Sequence, residues 1–368
     1  MSYLTDVCSI QYGYPFDSAL FNSNDGTPLV RIRDVIPGFS NTYTTEKCDE
    51  CYYVEKDDML IGMDGEFNIA YWKGGHAYLN QRVCKIIPKE GVHKRYLFYQ
   101  LMPILKRIEN RTAFVTVKHL SAKELNKIEF SLPDLPTQQR IADTLDKVSE
   151  GIKLCRRMMD ELDLMVKAKF VEMFGNIPET EFVTMGSVCS LITDGTHQPP
   201  KFVDSGIPFL FVSNITTNML TYNAEKFISA ETYAELMKRT PVEIGDILLS
   251  TVGSYGHPAI VKSNKQFSFQ RHIAFLKPRH NIIDSTFLHS AILTAGVQRQ
   301  IEAKVKGIAQ KTLNLSEIRT LRFPLPPLQE QERYAALVKN INKSKLTIQE
   351  IRDKMEMEKL ALMQEYFG

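Results

Sequence analysis

At 368 residues the chain is too long for one ordinary hydrophobic core and suits two domains. Its 43% hydrophobic and 24% charged residues are those of a globular protein, and a net charge of +2 excludes a uniformly basic nucleic-acid coat but not local basic patches. No run of about 18 apolar residues occurs and the first residues lack the basic-then-apolar pattern of a signal peptide, so a cytoplasmic protein is expected.

From the N-terminus, runs rich in Val, Ile, Phe and Tyr predict short strands at Thr27–Val35 and Gln81–Ile87, and a helix over Lys94–Ile108. Cys48 and Cys51 have C-x-x-C spacing, but no second pair completes a four-ligand site. They are read with Cys8, Cys84, Cys155 and Cys189 as reduced thiols holding no metal. Trp72 suits either a stacking or a core role. Pro133 and Pro136, then Thr137 as a cap, open a long helix. Within it Leu145, Ile152, Met159, Val166 and Met173 fall seven apart, interleaved with Ile141, Val148, Cys155 and Leu162, which is a heptad seam. Gly175 stands where a C-cap glycine belongs. Strands at Ile207–Val212 and His272–Leu276 and a helix over Ser285–Ile301 follow. Pro324, Pro326 and Pro327 precede a second long helix whose Ile341, Ile348, Met355 and Leu362 keep the seven-residue step, with Lys345 and Arg352 loosening the companion row.

The chain repeats itself. Val7-Cys8-Ser9-Ile10 returns as Val188-Cys189-Ser190-Leu191, and Asp57-Asp58-Met59-Leu60-Ile61 as Gly245-Asp246-Ile247-Leu248-Leu249, with Gly65 answering Gly253. Asn80-Gln81-Arg82 pairs with Phe269-Gln270-Arg271, and Lys118-His119-Leu120 with Lys311-Thr312-Leu313. Both copies close on Phe-Gly, at Phe174-Gly175 and Phe367-Gly368. A unit this long is a domain and not a solenoid repeat of roughly 20–50 residues. The division read from sequence is a first reader at 1–135, a central spacer helix at 136–175, a second reader at 176–328 and a C-terminal spacer helix at 329–368. Each spacer of about 37 residues extends ~55 Å, too long to bury its stripe on one compact domain. The predicted fold is therefore two α/β (α+β) globular copies joined by two long antiparallel coiled-coil helices, with pseudo-two-fold symmetry.

Several segments carry a family resemblance. They are Asp194-Gly195-Thr196-His197-Gln198-Pro199-Pro200, Gly206-Ile207-Pro208-Phe209-Leu210, Gly245-Asp246-Ile247-Leu248-Leu249-Ser250, Gly307-Ile308-Ala309-Gln310-Lys311-Thr312-Leu313-Asn314 and Phe323-Pro324-Leu325-Pro326-Pro327-Leu328-Gln329-Glu330-Gln331. With the tandem layout, they resemble the specificity subunit of type I restriction–modification systems. The first copy is plainer: it has Asp134-Leu135-Pro136-Thr137 at the helix start and no Asp-Gly-Thr-His. The resemblance implies two target recognition domains, each reading half of a split double-stranded DNA sequence, with the helices as a ruler. It also implies that the helices dock two methyltransferase subunits, which hold S-adenosylmethionine and methylate adenine at N6. Restriction subunits using ATP and Mg are further implied partners, and this chain holds no cofactor.

Base edges are read by Arg, Lys, Asn, Gln, Ser and Thr on loops and helix ends, and phosphates attract Lys and Arg. The DNA-contact candidates of the second copy are Thr196, His197, Lys201, Ser213, Asn214, Tyr255, Gln270, Arg271, Gln310 and Lys311. Those of the first are Gln81, Arg82 and Lys118 by correspondence, with Arg31, Arg33, Asp64 and Lys73 added from local chemistry. Gln270 and Arg271, read as a strand start, serve equally well as fold-holding residues.

No catalytic constellation is legible. Gln198-Pro199-Pro200-Lys201 lacks the acidic or amide residue and the aromatic of an adenine methyltransferase loop. A phosphate-binding G-x-x-x-x-G-K-[ST], H-E-x-x-H and G-x-S-x-G are absent, and Pro133-Asp134 is not followed by the Glu-x-Lys of a metal-dependent nuclease. Two other readings stand beside the DNA reader. A protein-binding scaffold would bind its partner without duplex DNA or salt-sensitive affinity, and a nuclease would cleave DNA with only a divalent metal added.

Overall fold

The computed structural model describes residues 2–111, 118–307 and 311–368. The chain divides into two compact units, residues 1–156 with 350–368 and residues 157–349, so each unit takes part of both long helices.

In the first unit, strands β1 (Cys8–Tyr12), β2 (Phe21–Asn22), β3 (Thr27–Val30), β4 (Tyr43–Thr44), β5 (Tyr53–Val54), β6 (Met59–Gly62), β7 (Ile69–Tyr71), β8 (Ala77–Leu79) and β9 (Val83–Pro88) precede helix α1 (Lys94–Arg111). They form two sheets, β1-β9-β6-β7 and β2-β4-β3-β8-β5; in the second, β3 and β8 run parallel. Met59 and Ile61 of β6, Cys84 and Ile86 of β9, and Leu97, Leu101 and Leu105 of α1 share one core, the helix applying its apolar face to the sheet. Trp72 is buried beside Val30, Leu60 and Leu79, with Nε1 donating to the Gly75 carbonyl, which settles it as a core residue.

The second unit repeats this plan with β10 (Cys189–Asp194), β11 (Ile207–Leu210), β12 (Lys226–Ile228), β13 (Ile247–Ser250), β14 (Pro258–Ile260), β15 (Ser268–Phe269) and β16 (Ile273–Pro278). The sheets are β10-β16-β13-β14 and β12-β11-β15, with β11 and β15 parallel. The helix read as Ser285–Ile301 is two, α3 (Ser285–Ile292) and α4 (Ala295–Lys304). Thr294 breaks it by capping α4, its hydroxyl accepting the Val297 N–H. Two predicted strands are also shorter: β3 and β11 stop at Val30 and Leu210, and 3₁₀ turns follow at Ile32–Asp34 and Val212–Asn214.

The long helices are α2 (Leu135–Phe174) and α5 (Leu328–Phe367). The first cap is Asp134 and not Thr137, since Asp134 Oδ1 accepts the Thr137 N–H. Gly175 lies just past α2 but is not left-handed; the Val171 carbonyl sits where its Cβ would fall. A buried glutamine fastens each helix start. Gln138 accepts the His93 N–H at 2.8 Å and donates to the carbonyls of Pro133 and Gly91. Gln331 accepts from Asp284 at 2.9 Å and donates to Pro326 and Ile282. The helices pack antiparallel within each unit. In the first, Ile141 and Leu145 meet Leu362 and Tyr366, while Gly151 approaches Met355 so closely that a Cβ would fall 2.5 Å from its Cε. In the second, Asp163 pairs with Lys345, and the rings of Phe170 and Phe174 surround Tyr334.

The heptad seam is graded. Ile141, Leu145, Val148, Ile152, Cys155 and Ile341 are buried, whereas Met159, Leu162, Val166, Ile348, Met355 and Leu362 are half-buried. No helix among the described residues is long and apolar enough to cross a membrane.

Candidate nucleic-acid interface

In each unit, segments far apart in sequence converge where the parallel strands end. Backbone bonds do the gathering. In the first unit Asn80 N–H donates to Val30 at 3.2 Å, Tyr14 to Leu79 at 2.8 Å and Gln81 to Tyr14 at 2.9 Å. Met63 N–H then donates to Arg82, Gly65 to Lys118 and Leu120 to Met63. The second unit makes the same set: Gln270 to Leu210, Thr196 to Phe269, Arg271 to Thr196, Thr251 to His272, Gly253 to Lys311 and Leu313 to Thr251. Loop ends beyond parallel strands are where α/β sheets commonly hold ligands, because side chains there are fixed by the sheet yet unpaired by it.

This set corrects one sequence correspondence. The backbone equates Asn80 with Gln270, Gln81 with Arg271 and Arg82 with His272, one residue away from the pairing suggested by the shared Gln-Arg. Gln270 and Arg271 accordingly lie in the turn leaving β15 and not at a strand start. The set also supplies a counterpart that the sequence hides. Gly13 takes the place of Gly195, and at both a Cβ would fall within 2.3 Å of a neighbouring carbonyl oxygen. The signal was Gly13 itself, a glycine ending a strand pattern where a neighbouring backbone approaches closely.

Around this edge the side chains differ. In the first unit Asp64 Oδ1 lies 2.5 Å from His119 Nδ1, and Oδ2 forms an ion pair with Arg82 Nε at 3.2 Å. Gln81 is exposed, and Arg31 holds its guanidinium over the Phe21 ring. Arg33, 65% exposed, donates to Thr42 Oγ1. Lys118 lies 3.6 Å from Glu109, a buried carboxylate held below its ordinary pKa by Lys106 and the Phe67 N–H. Lys73 is not part of this edge. It leaves β7 at the end opposite Asp64 and donates to the Pro37 carbonyl.

In the second unit Thr196 Oγ1 donates to Gln198 O, and His197 meets Asp194, which also holds Arg239. Arg271 is exposed and its Nε donates to His272 Nε2 at 3.3 Å; burial and the Arg271 charge lower the His272 pKa. Lys311 pairs with Glu302 and points to the Tyr255 hydroxyl, so Tyr255 is held at the edge instead of standing free. Lys201 and Ser213 are exposed. Asn214 is a correction: it is 5% exposed and closes a turn, accepting the Phe211 N–H and donating to Asn223 O. Asp34 does the same for Arg31 in the first unit, so the position shapes the loop. Gln310 lies outside the described residues.

The comparisons agree with this architecture. The profile of the type I restriction modification DNA specificity domain matches residues 1–163 and 179–358. The EcoBI specificity subunit of an Escherichia coli type I restriction enzyme is 30% identical over 92% of this chain and 78% of its own length. The MjaVIII specificity subunit of Methanocaldococcus jannaschii is 22% identical over 78% of this chain and 73% of its own. The solved structure of an M. genitalium type I S subunit matches the whole chain and 95% of its own with a TM-score of 0.57 at 12% identity, a likeness of fold. A chain from a type I complex-assembly study aligns over 100% of this chain and 96% of its own, with a TM-score of 0.56 at 18% identity. Two matched domains, a duplicated strand-end edge and paired long helices together assign the chain to the family of type I restriction–modification specificity subunits.

Proposed function

We propose that this chain reads a bipartite sequence in double-stranded DNA, one half-site with each unit's strand-end edge, and catalyses no step itself. The observation that carries the reading is the shared backbone set, a fixed scaffold presenting Asp64, Arg82 and His119 in one unit and Val252, His272 and Thr312 in the other. A constant frame with exchangeable side chains is what direct readout of different base edges requires. The long helices set the unread gap and dock two methyltransferase subunits. Those partners hold S-adenosylmethionine and modify adenine N6, and ATP- and Mg-dependent restriction subunits join them. Exposed Leu164, Met165, Val171 and Leu346 on the second unit's helices, and Met357 and Leu360 on the first's, support docking, since such side chains gain by leaving water.

The test is a genome-wide map of N6-methyladenine with and without this gene. Loss of one split motif on deletion is the expected result. An unchanged map in cells whose methyltransferase partner is active removes the DNA-reading proposal and favours the protein-binding scaffold.

A further inference from the structure

We infer that Asp64 in the first unit is a positioning residue that sets two base readers, His119 as an acceptor through Nε2 and Arg82 as a donor through its terminal nitrogens. This rests on the DNA-reading proposal and deepens it. The Asp64 side chain is 24% exposed; its Oδ1 lies 2.5 Å from His119 Nδ1, and its Oδ2 forms an ion pair with Arg82 Nε at 3.2 Å. A carboxylate only accepts, so the proton between Asp64 and His119 sits on Nδ1. In the neutral imidazole Nε2 is then a bare lone pair. Among the described residues Nε2 has no partner, and the His119 side chain is 45% exposed. Arg82 is held by that ion pair at Nε on a side chain that is 51% exposed, and its NH1 stands 3.5 Å from His119 Nδ1, which cannot accept from it while carrying the proton, so the terminal nitrogens keep their donors.

Two outward groups of opposite sense result. In the major groove an acceptor suits the amino group of adenine N6 or cytosine N4, and an arginine fork suits guanine O6 and N7. The first half-site is therefore expected to contain a guanine and a base with a major-groove amino group. The second unit has no such device, because Val252, His272 and Thr312 occupy the equivalent backbone positions. The repeat aligns His119 with Thr312, a residue of different chemistry, so its role is not legible in the sequence.

The experiment uses the chain assembled with its methyltransferase subunits and a duplex library randomised across the first half-site, methylated bases being read by sequencing. Asp64→Asn is expected to flatten the preference at two positions of the first half-site by about tenfold, leaving the second half-site selected, which also reports intact folding. His119→Thr, the second unit's residue, flattens only one of the two. Nitrogen-15 spectra of labelled histidine should show His119 protonated at Nδ1 in the wild type and lose that preference in Asp64→Asn. Even loss of methylation across all sequences, the signature of phosphate contact, overturns the inference, as does an unaltered first half-site. A wild-type complex that selects no sequence overturns the DNA-reading proposal, and this inference with it.

Discussion

Lys118 is a contact candidate by its correspondence with Lys311, but its acidic neighbour Glu109 explains more of the first unit's edge. Glu109 sits at the end of α1, 6% exposed, and receives Lys106, Lys118 and the Phe67 N–H. Lys106 and the Phe67 N–H hold its carboxyl below the ordinary value of about 4.3. A pKa lower in the folded than in the unfolded chain adds stability above the unfolded value, and that stability is lost as pH falls through the folded one. Glu109→Gln is thus expected to destabilise the first unit by about 1–2 kcal/mol at pH 7, the difference fading below about pH 4. Denaturant unfolding followed through Trp72 measures this, because the single tryptophan is buried in the first unit. A pH-independent difference would remove the electrostatic explanation.

At the scale of elements, the long helices hold their stability and their proposed docking on different faces. Leu145 is fully buried against Tyr96, Tyr99 and the end of α5, so Leu145→Ala should cost about 2–5 kcal/mol in the Trp72 experiment. Gln138→Leu removes the partner of a partly buried N–H and two carbonyls and should cost about 1–3 kcal/mol. Leu360, 71% exposed, behaves otherwise: Leu360→Ser should shift stability by no more than about 0.5 kcal/mol. It should nevertheless weaken association with the methyltransferase subunit, as titration calorimetry would measure. Equal loss of stability at Leu145 and Leu360 would mean that the outer face is no free docking surface.

For the whole molecule, the ruler proposal makes a quantitative demand. Seven residues added to both α2 and α5, in register with the heptad, lengthen each helix by about 10 Å. At roughly 3.4 Å per base pair the unread gap should grow by about three base pairs. Methylation mapping of the variant is expected to return both original half-sites at the wider spacing. An unchanged gap would remove the helices from the measuring role.

The heptads, the repeat and the strand–turn pattern follow from sequence, because periodicity records which face of an element meets a core. Thus α2 and α5, and the resemblance built on Asp194–Pro200 and Phe323–Gln331, were legible without coordinates. The roles of particular side chains were not. Asn214 reads as a base contact until its turn is seen, Lys73 until its strand end is located, and His119 as unremarkable until Asp64 lies beside it. The off-by-one match of the Gln-Arg pairs has the same origin, since residue identity cannot fix register where backbone hydrogen bonds do. Sequence by itself determined the elements and the duplication, which are written in local spacing. Only the tertiary structure decided which polar groups stand at the reading edge, because that depends on bonds between segments such as Met63, Arg82 and Lys118 that lie far apart along the chain.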